Sequence, residues 1–134
     1  MRLRWREPTR EERQLAWVWA VVAAASLALR PLWLVLAPQM PVCPFRALTG
    51  VPCPSCGTTH AAVALLGGRL GAALAANPLA AAAGVAFLAG GLLAPAWALA
   101  RMRAPELPSP LPLWARLGMV AALAANWAWV IWTA

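Results

Sequence analysis

All three cysteines and the single histidine of this chain lie between Cys43 and His60, with the spacing C-x9-C-x2-C-x3-H. Cys53-x2-Cys56 is a common chelating pair, and Cys43 and His60 would complete a tetrahedral site. Zn²⁺ is the ion expected for this ligand set, and soft thiolates also suit Cu(I). A metal site is therefore the first interpretation of this stretch.

The same spacing permits other roles for the cysteines. A Cys-x-x-Cys pair just before a helix start gains thiolate stabilisation from the helix N-terminus, which favours redox chemistry with the third cysteine as resolving partner. The chain has no thioredoxin-like βαβ pattern around the pair. A static disulfide with one free cysteine, or simple packing of thiols in a tight loop, also fits. His60 alone would more often cap or pack a helix than bind a metal.

The composition excludes several functional classes. Only four residues are acidic, namely Glu7, Glu11, Glu12 and Glu106, so the cysteine region lacks a carboxylate for general acid–base catalysis. We therefore expect no catalytic residues and favour a protein that is not an enzyme. The net charge of +7 comes from arginines at the ends of apolar runs, which is a topology signal. It does not indicate nucleic-acid binding.

The elements that position the cysteines are predicted to be membrane helices. Hydrophobic residues make up 63% of the chain and charged residues 11%, whereas soluble domains carry about 25% charged residues. The lipid bilayer is therefore the expected partner. The predicted fold is an all-α integral membrane domain with about three transmembrane helices and a short interfacial or re-entrant helix.

The boundaries follow from apolar runs of the length that crosses about 30 Å of hydrocarbon. Arg30 and Pro31 interrupt the first run, Thr58 or Thr59 would cap the short helix, and Asn77-Pro78 is a strong helix start. Within a single domain we predict a basic tail (1–14), a first span (15–37), a Cys/Pro loop (38–57), the interfacial or re-entrant helix (58–76), a second span (78–100), a loop (101–112) and a third span (113–134). We expect the first span to be retained and not cleaved as a signal peptide.

The arginines also predict an orientation. A cytoplasmic N-terminus places most of them in the cytoplasm and leaves Arg30, Arg46 and Arg69 on the other side, as the positive-inside rule requires. We therefore expect a multi-pass protein of the cell inner (cytoplasmic) membrane with the cysteine loop on the outer side.

The motif Cys43-Pro44, Thr49-Gly50-x-Pro52-Cys53-Pro54-x-Cys56-Gly57-x-Thr59, followed by the Gly68 region and Asn77-Pro78, resembles a bacterial membrane family called domain of unknown function 2752. The resemblance implies a small multi-span membrane protein and carries no settled activity. Members usually have Arg where this chain has His60, and often Gly at Ser55. The resemblance therefore implies a site centred on the three cysteines, with His60 the weakest candidate ligand.

These observations predict a membrane protein whose outer cysteine motif is a structural or metal-binding element. An accessory role in a larger membrane complex, or self-association, would suit its small size. The alternative is a membrane thiol–disulfide redox or metal-handling protein.

Overall fold

The computed structural model describes residues 5–39, 43–105 and 110–133. The elements in chain order are β1 (Trp5–Arg6), α1 (Arg10–Ala28), α2 (Arg30–Leu36), a 3-10 turn (Ala37–Gln39), α3 (Pro44–Thr49), α4 (Thr58–Leu66), α5 (Leu70–Ala76), α6 (Pro78–Leu99), β2 (Ala104–Pro105) and α7 (Leu113–Thr133). The prediction of a helical fold is confirmed, and the described residues add to the helices a pair of two-residue strands.

Local sequence signals set both ends of α1. Thr9 accepts a hydrogen bond from the Glu12 backbone N–H, and the Glu12 carboxylate accepts one from the Thr9 N–H, forming a capping box. The helix ends at Leu29, and α2 follows with Pro31 in its first turn. Proline lacks the N–H that would continue α1, so Pro31 breaks the first apolar run as expected.

Helices α1 and α6 make the most extensive contact between helices in the described chain. Small residues line it: Ala23 is fully buried, and Gly91 lies so close to Ala23 that an added methyl group would collide with it. Trp19 donates a hydrogen bond from Nε1 to the Phe87 carbonyl oxygen at 3.0 Å. Close approach through small residues is the usual means of association between membrane helices.

The segment 58–76 is two helices, α4 and α5, separated at residues 67–69. The predicted single helix is therefore interrupted where Gly67, Gly68 and Arg69 weaken it. The predicted threonine cap is wrong, because the N-cap of α4 is Gly57 and no side chain caps the helix. Both helices pack on α6 through a cluster of buried alanines: Ala61, Ala64, Ala73 and Ala81.

Two helices, α6 and α7, are long and apolar enough to cross a membrane. The described residues hold a third candidate if the bent pair formed by α1 and the segment Arg30–Thr49 crosses as one span. The described part of the chain thus contains two or three candidate spans where about three were predicted. Many large apolar side chains are exposed along these helices, as lipid-facing surfaces require.

The two strands connect the N-terminal segment with the segment after α6. β1 and β2 pair antiparallel, with Arg6 opposite Ala104. Helix α6 begins at Pro78 beside the cysteine loop and rises about 33 Å over its length before β2. The strand pair therefore lies at the end of α6 that is remote from the cysteines.

Candidate metal centre

The fold brings the three cysteine sulfur atoms together. The Sγ atom of Cys53 lies 3.5 Å from that of Cys43 and 3.2 Å from that of Cys56. All three Sγ atoms lie within 4.8 Å of one another, and each cysteine is partly exposed. The structure therefore assembles these three predicted site residues into one cluster.

A short helix and a tight turn place the sulfurs. Cys43 is the N-cap of α3, Pro44 occupies its first turn, and Gly50 ends it in the left-handed conformation with φ +73°. Between Cys53 and Cys56 the chain turns back, and the Cys56 N–H donates to the Cys53 carbonyl oxygen at 2.9 Å. The Cys53 N–H donates to the Cys56 Sγ at 3.2 Å. This N–H···S bond fixes the position of the Cys56 sulfur relative to the peptide of Cys53.

Gly57 carries the chain from this turn into α4. Its φ of +82° lies in the left-handed region, and a Cβ at this position would lie 2.5 Å from the Ala76 carbonyl oxygen. Only glycine combines this conformation with so close an approach to the end of α5. Gly57 therefore seats the cysteine turn against the α5–α6 junction.

Asn77 joins the turn to the start of α6. Its side-chain N–H donates to the Cys56 carbonyl oxygen at 3.0 Å, while its Oδ1 accepts the Ala80 N–H at 2.9 Å. The residue is only 1% exposed. The Asn-Pro start predicted from sequence is therefore confirmed, and its cap also holds the loop.

Two residues of α7 contact the same loop. Asn126 donates to the Pro54 carbonyl oxygen at 3.4 Å and accepts the Leu79 N–H at 2.9 Å. Trp127 donates from Nε1 to the Pro52 carbonyl oxygen at 2.9 Å. Sequence reasoning missed both residues. The available signal was Asn126 itself, a polar residue inside an apolar run, since such residues usually have a specific partner.

The cluster opens into a cleft of about 830 Å³. Arg46, Thr59 and His60 are among its lining residues. His60 is exposed on the first turn of α4 and does not belong to the group of close ligand atoms. Of the four predicted site residues, the structure thus unites three and places the fourth on the wall of the same cleft.

The two thiols of the turn differ in acidity. Hydrogen bonds from the Ser55 hydroxyl and then the Cys56 thiol stabilise the Cys53 thiolate and lower its pKa to about 6. Burial, and next the hydrogen bond with Cys53, raise the pKa of Cys56 to about 11. These opposite shifts make Cys53 the more acidic of the two thiols.

The sulfur separations are compatible with three ligands of one metal ion. All three cysteines are free thiols, and their separations exceed the S–S bond of about 2.05 Å. Thiolates bound to one Zn²⁺ at about 2.3 Å lie roughly 3.8 Å apart. The observed 3.2 and 3.5 Å need to widen by only a few tenths of an ångström.

Residues 43–98 match the family model described as Protein of unknown function (DUF2752). The resemblance predicted from the cysteine motif is confirmed, and the match extends from Cys43 almost to the end of α6. Comparison with curated proteins and with solved structures gives no match.

Proposed function

We propose that the segment shared with the DUF2752 family builds a three-thiolate site for one soft metal ion in a multi-span membrane protein. The proposal rests on the assembly of Cys43, Cys53 and Cys56 with all Sγ atoms within 4.8 Å. These residues come from a helix cap and a separate turn, so their convergence is a product of the tertiary fold.

The chemistry of the donors selects the class of metal. None of the described residues that line the cleft is acidic, so the cleft lacks the carboxylate ligands by which Mg²⁺ and Ca²⁺ are usually bound. Thiolates favour Zn²⁺ and Cu(I). The low pKa of Cys53, about 6, supplies one thiolate at neutral pH, and a bound cation would draw the proton from the others.

Charge and ligand number fit the same proposal. Three thiolates would leave a Zn²⁺ complex with one negative charge, and a basic residue, Arg46, is among the residues that line the same cleft. Three protein ligands also leave a fourth zinc position open for water or for His60. Cu(I) needs no fourth ligand, so both ions are compatible with the cluster.

The proposal includes the predicted orientation, with the cysteine loop on the outer side of the cell membrane. The pairing of β1 with β2 supports it, because it draws the basic N-terminal segment to the connection that carries Arg101 and Arg103. Both basic segments then share one membrane face, as the positive-inside rule requires. The cysteine loop lies at the opposite end of α6.

The cysteine motif is proposed to serve as a structural or metal-binding element. The protein that carries it is proposed to be an accessory subunit of a membrane complex. The absence of acidic residues among those described around the cleft supports a binding role over hydrolytic catalysis. The exposed apolar helices support a location within the bilayer, where lipid or a partner subunit covers them.

The test is an intact native mass of the detergent-purified protein, with Zn²⁺ supplied and without chelator. We expect a mass heavier by one metal ion. Cys43→Ser, Cys53→Ser and Cys56→Ser should each weaken binding, while the matched variant His60→Ala should retain the ion. An unmodified mass for the wild-type protein, or ion retention by all three serine variants, would overturn the proposal.

Thiol–disulfide exchange is the second candidate, favoured by the acidity of Cys53. Its thiolate would attack a partner's disulfide, forming a mixed disulfide and releasing the partner's other sulfur as a thiolate. Cys56, once deprotonated, would displace the partner's remaining sulfur, so that the partner is reduced and a Cys53–Cys56 disulfide forms. The raised pKa of Cys56 slows this second step. This function requires a native mass lighter by two hydrogens in the oxidised protein, which a static disulfide would also give.

A further inference from the structure

We propose that the C-terminal helix α7 positions the thiols, with Trp127 and Asn126 as positioning residues, and that metal binding is thermodynamically coupled to the docking of α7. The inference rests on the proposed metal site and extends it to the control of its affinity. It is carried by the hydrogen bonds between α7 and the cysteine turn.

Helix α7 is attached to the rest of the chain mainly at its C-terminal half. Among its described residues only Asn126 and Val130 are buried, whereas Trp114 near its start is 71% exposed. The contacts it makes with α5 and α6 are few compared with those between α1 and α6. Side-chain hydrogen bonds therefore make up a large share of the interactions that hold α7 against the other helices.

These bonds reach the peptide units that orient the sulfurs. The carbonyl of Pro52 belongs to the same peptide plane as the Cys53 N–H, which donates to the Cys56 Sγ at 3.2 Å. By binding that carbonyl at 2.9 Å, the Trp127 indole fixes the plane and hence the direction of the N–H···S bond. Asn126 binds the carbonyl of Pro54, the next proline of the turn.

The prolines make this attachment more effective. Pro52 and Pro54 have no backbone N–H and can only accept hydrogen bonds through their carbonyl groups. The turn that carries Cys53 can therefore form few backbone hydrogen bonds within itself. Side chains from α6 and α7 supply the missing partners: Asn77 for Cys56, Asn126 for Pro54 and Trp127 for Pro52. Outer partners of this kind usually tune a metal site by orienting its ligands.

The coupling must act in both directions. If docked α7 raises the affinity of the loop for a metal ion, the ion must strengthen the docking of α7 by the same factor. A metal bound on one side of the membrane would therefore order the last helix of the chain.

A matched pair of variants on α7 tests the inference. Trp127→Phe removes the indole N–H that binds the cysteine turn. Trp129→Phe removes an equivalent N–H, which donates to the Ala75 carbonyl of α5 at 3.1 Å and not to the turn. In Zn²⁺ competition titrations, Trp127→Phe should weaken binding about tenfold, while Trp129→Phe, which loosens the docking of α7 but leaves the cysteine turn bound, should weaken it several-fold less. Equal effects, or no effect of Trp127→Phe, would overturn the inference.

A second readout without metal separates this inference from the metal proposal. The relative rates at which iodoacetamide labels Cys53 and Cys56 are mapped by mass spectrometry at one pH. Trp127→Phe should raise the preference for Cys53 by about fivefold, because one N–H···S bond that stabilises the Cys56 thiolate is weakened, while Trp129→Phe should leave the preference unchanged. A wild-type protein that binds no metal would refute the metal proposal alone. An unchanged labelling preference in Trp127→Phe would refute the positioning role of Trp127.

Discussion

Substituting Gly57 by alanine tests how the cysteine turn is seated on the helices. Gly57 has φ +82°, and an added Cβ would lie 2.5 Å from the Ala76 carbonyl oxygen and 3.2 Å from its carbon. Gly50, at the other end of the loop, has φ +73° but no heavy atom within 4 Å of an added Cβ. Gly57→Ala and Gly50→Ala therefore share the backbone strain and differ in the collision.

The backbone strain and the collision together set the expected loss of stability in each variant. The left-handed conformation costs a non-glycine residue about 1–2 kcal/mol, and both variants carry that cost. A carbon and an oxygen atom approach to about 3.3 Å in favourable contacts, so Gly57→Ala must displace the turn from α5 by roughly 0.8 Å. Overpacking of this kind costs about 1–3 kcal/mol more. Because Cys56 precedes Gly57, the displacement also moves one sulfur of the cluster.

The assay is equilibrium unfolding in mixed micelles, combined with Zn²⁺ titration of each variant. We expect Gly57→Ala to lower the free energy of unfolding by about 1–3 kcal/mol more than Gly50→Ala, and to weaken Zn²⁺ binding more. Equal destabilisation by the two variants would refute the close seating of the turn on the Ala76 carbonyl.

Three further predictions follow from the helix contacts and the thiols. Gly91→Ala should lower the free energy of unfolding by about 1–3 kcal/mol, because an added methyl group would collide with α1. Gly118→Ala, which adds a methyl group in open space on α7, should raise the free energy of unfolding by about 0.5–1 kcal/mol. If unfolding in micelles showed the reverse order of stability, the close packing of α6 on α1 would be contradicted. Ser55→Ala removes the main cause of the low pKa of Cys53, about 6, so the midpoint of its alkylation rate should move to higher pH; an unmoved midpoint would disprove the Ser55 hydrogen bond. Asn77→Ala removes a helix cap and the bond to the cysteine turn and should cost about 1–3 kcal/mol in the same unfolding assay, whereas an unchanged stability would show that neither bond matters.

Elements set by local chemistry were predictable from the sequence. The capping box at Thr9, the break at Pro31 and the start of α6 at Asn77-Pro78 each depend on residues within one turn of the helix end. The cap of α4 was mispredicted because threonine is a common N-cap. Here the tight approach to Ala76 requires glycine at the preceding position.

The cysteine cluster was predictable from the sequence, whereas the residues that hold the cysteine turn in place were not. The spacing of Cys43, Cys53 and Cys56 was enough to name the cluster. The roles of Asn126 and Trp127 depend on hydrogen bonds to residues more than seventy positions earlier in the chain. Such pairings are created by the packing of α7, and no local pattern or periodicity encodes them.

The central claim is that three thiolates of this chain bind one soft metal ion. X-ray absorption spectroscopy of the zinc-loaded protein in detergent measures the ligands directly. We predict three sulfur ligands at about 2.3 Å, with one nitrogen or oxygen ligand at about 2.0–2.1 Å. A first shell of nitrogen and oxygen atoms without sulfur, or protein that retains no zinc after exchange into metal-free buffer, would contradict the claim.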